Sequence, residues 1–252
     1  MTEAGWLACT DTLAMLELLR DRDPELRPES CNCCCTRCLR RGGFCPAYRK
    51  LRLFAWACCL RVMHLLPDPV CHLALAAAEQ HADGALGEEE FIRVAAEFDT
   101  KRRRRFPRPN GPAADDYAWN ALYCTVHRRW RSCYDDTPAT DRWGMAATVA
   151  YDAARAQEAE DARGQAVLLR EVFANPFRAA PPPPPAVLLW EGGTVPKLAH
   201  AIYEERAFDR LPVLADALEE AGCPDEAVLS HCRRPDEHVR GCWALDLLLG
   251  KT

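Results

Sequence analysis

The sequence contains no run of about 18 uncharged apolar residues, the length a membrane-spanning helix needs. Its most apolar stretch, LRLFAWACCLRVMHLL, is broken by two arginines and a histidine. No membrane partner is therefore expected. The opening residues MTEAGWLACTDTLAMLELL have neither a basic segment nor an unbroken apolar core, so they do not read as a secretory leader, and a cytoplasmic location is expected. Positive charge is not in excess either: 32 Lys and Arg stand against 37 Asp and Glu, a net charge of −5. A chain built mainly to coat nucleic acid or anionic membrane is excluded, although a local basic patch is not. No apolar–polar alternation bounded by turn residues marks a sheet. The catalytic patterns G-x-x-x-x-G-K-[ST], G-x-G-x-x-G, H-E-x-x-H and G-x-S-x-G are also missing. The expectation is a chain that is not an enzyme.

What is present is helical periodicity in an ordinary globular composition. Of 252 residues, 49% are hydrophobic and 27% charged, enough apolar surface to offset the entropy of ordering in two modest domains. Leu51, Phe54, Ala55, Cys58, Val62 and Leu65 fall on one helical face, and Pro67 and Pro69 stop that helix. GEEEFIRVAAEFD places acids in a first turn and Phe91, Val94, Ala95 and Phe98 on one side. Similar patterns run over 12–20, 70–82, 114–131 and 143–173. Residues 179–185, AAPPPPP, cannot continue a helix and predict a stiff, extended connector. Beyond it, Thr194 is a candidate cap with Pro196 in the first turn. Leu211, Leu214, Ala215 and Leu218 form a stripe ending at Gly222, and helices are expected over 225–232 and 237–249. The expected fold class is all-α. A multi-helix domain over 1–178, with a cysteine-rich insertion at about 28–47, is followed by a proline-rich linker over 179–187 and a four-helix module over 188–252.

Several of these segments are similar in wording to a known group. KLAHAIYEERAFDRLPVLADALEEAGCPDEAVLSHCRRPDEHVRGCWALDLLLGKT, with LLREVFANPF and WEGGTV upstream, resembles a C-terminal module found in large paralogous families of planctomycete bacteria. MTEAGWLACTD and KLRLFAWACC resemble N-terminal segments of the same families. The resemblance covers residues 1–20, 50–80 and 165–252, and it implies no activity, cofactor or catalytic residue. In that pattern a short charged link joins the first helix to KLRLFA. Here the link holds CNCCCTRCLRRGGFC, so a metal site there would be peculiar to this chain or to a subset.

That insert is the first candidate site. Cys31 with Cys34 and Cys35 with Cys38 have the C-x-x-C spacing that lets one turn supply two thiolates to zinc, and Gly42-Gly43 would let Cys45 fold back as a further ligand. Four of Cys31, Cys34, Cys35, Cys38 and Cys45 would suffice to bind Zn2+. The alternatives are a cysteine-biased surface loop, or a redox pair helped by Arg37, Arg40 and Arg41. A second metal candidate is the set His231, Cys232, His238 and Cys242, with His238 and Cys242 at i, i+4 on an expected helix. Cys58 and Cys59 read as small core hydrophobes.

KRRRRFPRP, residues 101–109, reads as a proline-interrupted loop. Lys101, Arg102, Arg103, Arg104, Arg105 and Arg108 would neutralise phosphates and Phe106 would stack on a base, extended by His127 to Arg131 if the two segments share a face. The plainer reading is a solvated run between helices. Trp119, Tyr123, Val126 and Trp130 recur at helical spacing as core, and Asp115-Asp116 and Asp135-Asp136 sit where helix caps or turns explain them. The functional expectation is a non-catalytic interaction or adaptor protein whose partner is another protein, with a zinc-stiffened loop. A nucleic-acid-binding regulator using 101–108 is the alternative.

Overall fold

The computed structural model describes residues 1–22, 46–105, 113–126, 142–156, 162–178 and 180–251. Among them there are α-helices and short 3-10 turns and no strand, so the fold is all-α. The chain divides into two compact units, Met1–Leu169 and Arg170–Thr252.

In the first unit, α1 (Glu3–Ala8) starts where Thr2 accepts a hydrogen bond from the Gly5 amide. Helix α2 (Thr12–Arg22) starts at Asp11, whose carboxylate accepts from the amides of Leu13 and Ala14. Both are side-chain caps of the orphan amides of a first turn. Helix α3 (Pro46–Leu60) is the axis of the unit. Leu51, Leu53, Phe54, Ala55, Trp56, Ala57, Cys58 and Cys59 are all buried, the pattern of a helix covered on every side. It packs against α4 (Pro69–Ala82), α6 (Ala114–Val126) and α7 (Arg142–Ala156).

The expected helix reaching Leu65 ends at Leu60, and Met63–Leu65 forms a 3-10 turn. Asp68 then caps α4, accepting from Val70 N, with Pro69 in the first turn. Helix α5 (Glu88–Arg105) opens on Glu88, Glu89 and Glu90 and buries Phe91 and Phe98, the latter stacked 5.1 Å from Trp119 of α6. The expected long helix over 143–173 is described as α7 and α8 (Ala162–Phe173).

The second unit holds the end of α8 and then α9 (Pro185–Leu189), α10 (Thr194–Glu205), α11 (Leu211–Glu220), α12 (Glu226–Arg233) and α13 (Trp243–Leu249). Four helices were expected beyond the proline-rich stretch, and α10 to α13 lie there. Their inner faces meet in one core of Val195, Ala199, Ile202, Tyr203, Leu211, Leu214, Leu218, Leu245 and neighbours. Helix α11 stops as its sequence predicts: Gly222 sits at φ +77°, and Cys223 N donates to Leu218 O across it. Gly193, not Thr194, precedes the first turn of α10, at φ +85°. The segment 237–242 is not helical, and α13 begins only at Trp243. Gly241, at φ +92°, lies in a conformation that a continued helix could not contain.

Candidate metal centre

That late start of α13 decides the geometry of the tail residues. His238 and Cys242 were expected on one helix face; instead they occupy a turn, with Cys242 as the residue before the first turn of α13. The turn folds them back toward His231, in the last turn of α12, and toward Glu171, near the end of α8. One donor atom from each of Glu171, His231, His238 and Cys242 lies within 4.8 Å of the other three. Three of the four expected tail residues therefore converge, and Cys232 does not belong to the set. It is fully buried in the apolar core of the unit, where burial pushes its thiol up to about 12. Glu171 takes its place.

The bonds within the set are specific. His238 Nδ1 lies 3.0 Å from Glu171 Oε1, and its other ring nitrogen, Nε2, lies 3.2 Å from the carbonyl oxygen of Arg234. That carbonyl can only accept, so Nε2 carries a proton and Nδ1 faces the carboxylate. His231 Nε2 lies 3.1 Å from Cys242 Sγ and 3.4 Å from Glu171 Oε2. His231 Nδ1 accepts from Trp243 Nε1 at 3.1 Å and faces Arg234 Nη2 at 2.7 Å. Both of those neighbours are donors only, so the hydrogen-bond network assigns the His231 ring proton to Nε2, the atom turned toward Glu171 and Cys242.

Electrostatics follow the same arrangement. Burial works to raise the Glu171 carboxyl, but hydrogen bonds from His231 and His238 and the positive charge of His238 outweigh it and hold it near 2. Burial likewise opposes a proton on His238, and the Glu171 carboxylate overrides it and raises that imidazole. The Cys242 thiol goes well above its usual range, through burial first and the Glu171 charge second. This is not the wiring of a nucleophile. A Cys–His–acid relay places thiol and carboxylate on opposite ring nitrogens and lowers the thiol, whereas here both meet the same nitrogen of His231 and the thiol is protonated.

Glu171 was missed because nothing local marks it. It sits among Leu168, Leu169 and Val172, all buried, and is itself 3% exposed. Its partners lie more than fifty residues away. The one signal available is a lone acid on an otherwise apolar stripe, which requires a buried partner.

The basic tract proves different from its expected form. Lys101 to Arg105 are not in a loop; they are the last turn of α5, where the negative end of the helix dipole favours cations. Four of the five charges are answered by nearby acids: Lys101 bonds both carboxylate oxygens of Asp68 at 2.9 and 3.1 Å, Arg102 and Arg103 bond Asp99, and Arg105 bonds Asp115. Arg102 lies over the Tyr123 ring at 3.8 Å. Trp119 and Val126 are buried, as periodicity predicts. Cys58 and Cys59 are fully buried; the Cys59 thiol lies 3.2 Å from Thr125 Oγ1 and is pushed up to about 12 by burial. Cys31, Cys34, Cys35, Cys38 and Cys45 lie outside the described residues, as do Phe106, Arg108 and His127 to Arg131.

Comparison of the chain with protein-family models, with curated proteins and with solved structures returns no match.

Proposed function

We propose that this protein is non-catalytic and acts by binding another protein through its C-terminal unit. The observation that carries the reading is a mostly apolar cavity of about 180 Å3 in that unit, lined by Pro181–Pro184, Cys223, Val228, Leu247 and Leu248, with Asp225 as its one charged residue. A dry cavity of about 150 Å3 lined by aliphatic side chains accepts benzene, so this one has room for a leucine or phenylalanine side chain of a partner. The proline wall is held by fixed φ angles, which lowers the entropy cost of binding against it. Leu189 and Val213, 73% and 57% exposed, add apolar surface to the same unit. The wiring of Glu171, His231, His238 and Cys242 supports a role without nucleophilic chemistry. The acid-paired state of Lys101, Arg102, Arg103 and Arg105 is why nucleic acid comes second.

The test is affinity capture from a cell extract with three forms of the full chain: unaltered, Leu247→Arg in the cavity wall, and Leu73→Asp on the first unit as a surface control. One stoichiometric partner retained by the unaltered and Leu73→Asp chains and lost from Leu247→Arg, with helical circular dichroism unchanged, is the expected result. A partner held equally by Leu247→Arg, or no stoichiometric partner on any form, would remove the reading.

A further inference from the structure

The donors contributed by Glu171, His231, His238 and Cys242 are one carboxylate oxygen, two imidazole nitrogens and one sulfur. That mixed set suits a borderline cation and above all tetrahedral zinc, whereas calcium and magnesium take oxygen alone. The site is closed: the side chains of His231, Glu171 and His238 are 2%, 3% and 5% exposed, and Cys242 is 0% exposed. Closed four-donor sites are structural, while catalytic zinc keeps an open position.

The spacing is near what the ion needs. Zinc bonds of about 2.0 to 2.3 Å at tetrahedral angles separate ligands by about 3.3 to 3.8 Å. Here Glu171 and His238 are 3.0 Å apart, His231 and Cys242 3.1 Å, and His231 and Glu171 3.4 Å, with every pair inside 4.8 Å. Small side-chain rotations therefore close the shell.

The group behind His238 is also that of a metal site. His238 Nε2–H donates to the Arg234 carbonyl, which fixes the ring and leaves Nδ1 pointing inward. Trp243 Nε1–H holds His231 Nδ1, which turns Nε2 inward. An outer acceptor such as the Arg234 carbonyl is what orients a ligating histidine; at His231 the outer groups are donors, so its ring proton relocates when Nε2 takes the ion.

We infer that Glu171, His231, His238 and Cys242 form a structural zinc site that ties the end of α8 to the turn between α12 and α13. Zinc replaces the protons that now hold the set together. Cys242 Sγ releases its thiol proton, His231 moves its ring proton from Nε2 to Nδ1, and His238 Nδ1 releases the proton it shares with Glu171. Each freed lone pair passes to the ion, and one Glu171 oxygen completes the shell. With the proton on Nδ1, the His231 ring binds as a neutral imidazole, and the Trp243 and Arg234 donors that now meet that nitrogen turn away from it. A high metal-free thiol value is no obstacle, because a coordinating cation deprotonates its thiol outright. This inference does not rest on the protein-binding reading.

The experiment uses the full chain with Cys31, Cys33, Cys34, Cys35, Cys38 and Cys45 all changed to Ser, so that the insert contributes no ligand. After expression with zinc and dialysis against metal-free buffer, about one equivalent of zinc is expected to remain. Exchange for Co2+ should give a thiolate-to-cobalt charge-transfer band in the near ultraviolet and the intense visible bands of tetrahedral cobalt. In the same background Cys242→Ser should lose the charge-transfer band and give zinc to a chelator more than about tenfold faster, while Cys232→Ser keeps both properties. If Cys242→Ser fails to fold, His238→Gln is read in its place, by loss of the tetrahedral visible bands. Zinc below about 0.2 equivalents in a helical protein, or a charge-transfer band that survives Cys242→Ser or disappears with Cys232→Ser, would overturn the assignment.

Discussion

Replacing Asp152 by Asn should stabilise the first unit at neutral pH and leave it nearly unchanged in acid. Asp152 on α7 is 2% exposed, and Asn120 Nδ2 of α6 donates to its Oδ2 at 2.5 Å. Burial raises its carboxyl from 3.8 to about 6, against the lowering effect of the Asn120 bond. A carboxyl whose folded value exceeds its unfolded one favours the folded state while protonated. That contribution is complete below 3.8 and is lost as the pH rises through about 6. At 1.36 kcal/mol per pH unit, the loss amounts to roughly 3 kcal/mol above pH 7.

An Asn side chain cannot ionise and its carbonyl oxygen still accepts from Asn120. Set against about 1 kcal/mol for the weaker neutral bond, Asp152→Asn should gain about 2 kcal/mol at pH 8. This corresponds to roughly 4 to 8 °C in the Tm of a domain of this size. Thermal unfolding of both chains from pH 4 to pH 8 supplies the check, because their difference cancels every other titrating group. A variant less stable than the parent at pH 8, or a difference that shrinks as pH rises, would refute the reasoning.

Three further outcomes follow from particular bonds. Arg49 and Asp83 pair at 2.9 Å with side chains 7% and 4% exposed, so Asp83→Ala should cost about 3 kcal/mol in chemical denaturation, while Arg49→Met with Asp83→Leu costs clearly less than the two single changes summed. Asp225 caps α12 by accepting from the amides of Ala227 and Val228, and Asp225→Ala should lower stability by about 1 kcal/mol, with no change for Asp225→Asn. Gly222 at φ +77° has nothing within 4 Å of an added Cβ, so Gly222→Ala should lower the stability of the second unit by about 1 kcal/mol through backbone strain alone.

The sequence was most legible where a helix carries its own signal. The stripe around Phe54 and Cys58, the acids opening α5 and the stop at Gly222 all follow from local chemistry, and each appears in the structure. The boundaries that failed did so for tertiary reasons. Lys101 to Arg105 read as a loop because Pro107 and Pro109 interrupt the tract and its like charges repel, yet Asp68, Asp99 and Asp115 offset that repulsion, and two of these acids lie outside α5. The segment 237–242 has helix-forming residues, but Gly241 at φ +92° turns it aside so that His238 and Cys242 reach Glu171. Cys232 looked equal to Cys242 as a ligand because residue type does not show which way a helix faces. Glu171 stayed hidden because its meaning lies in partners from another part of the chain.

The most direct measurement is a crystal structure of the full chain with diffraction recorded on both sides of the zinc absorption edge. The account predicts one anomalous peak within about 2.3 Å of Cys242 Sγ and about 2.1 Å of a nitrogen from each of His231 and His238, with a Glu171 oxygen completing a tetrahedron. Four ordered side chains around no peak, or Cys242 facing an open cleft with Glu171 and Cys242 on opposite nitrogens of His231, would contradict it.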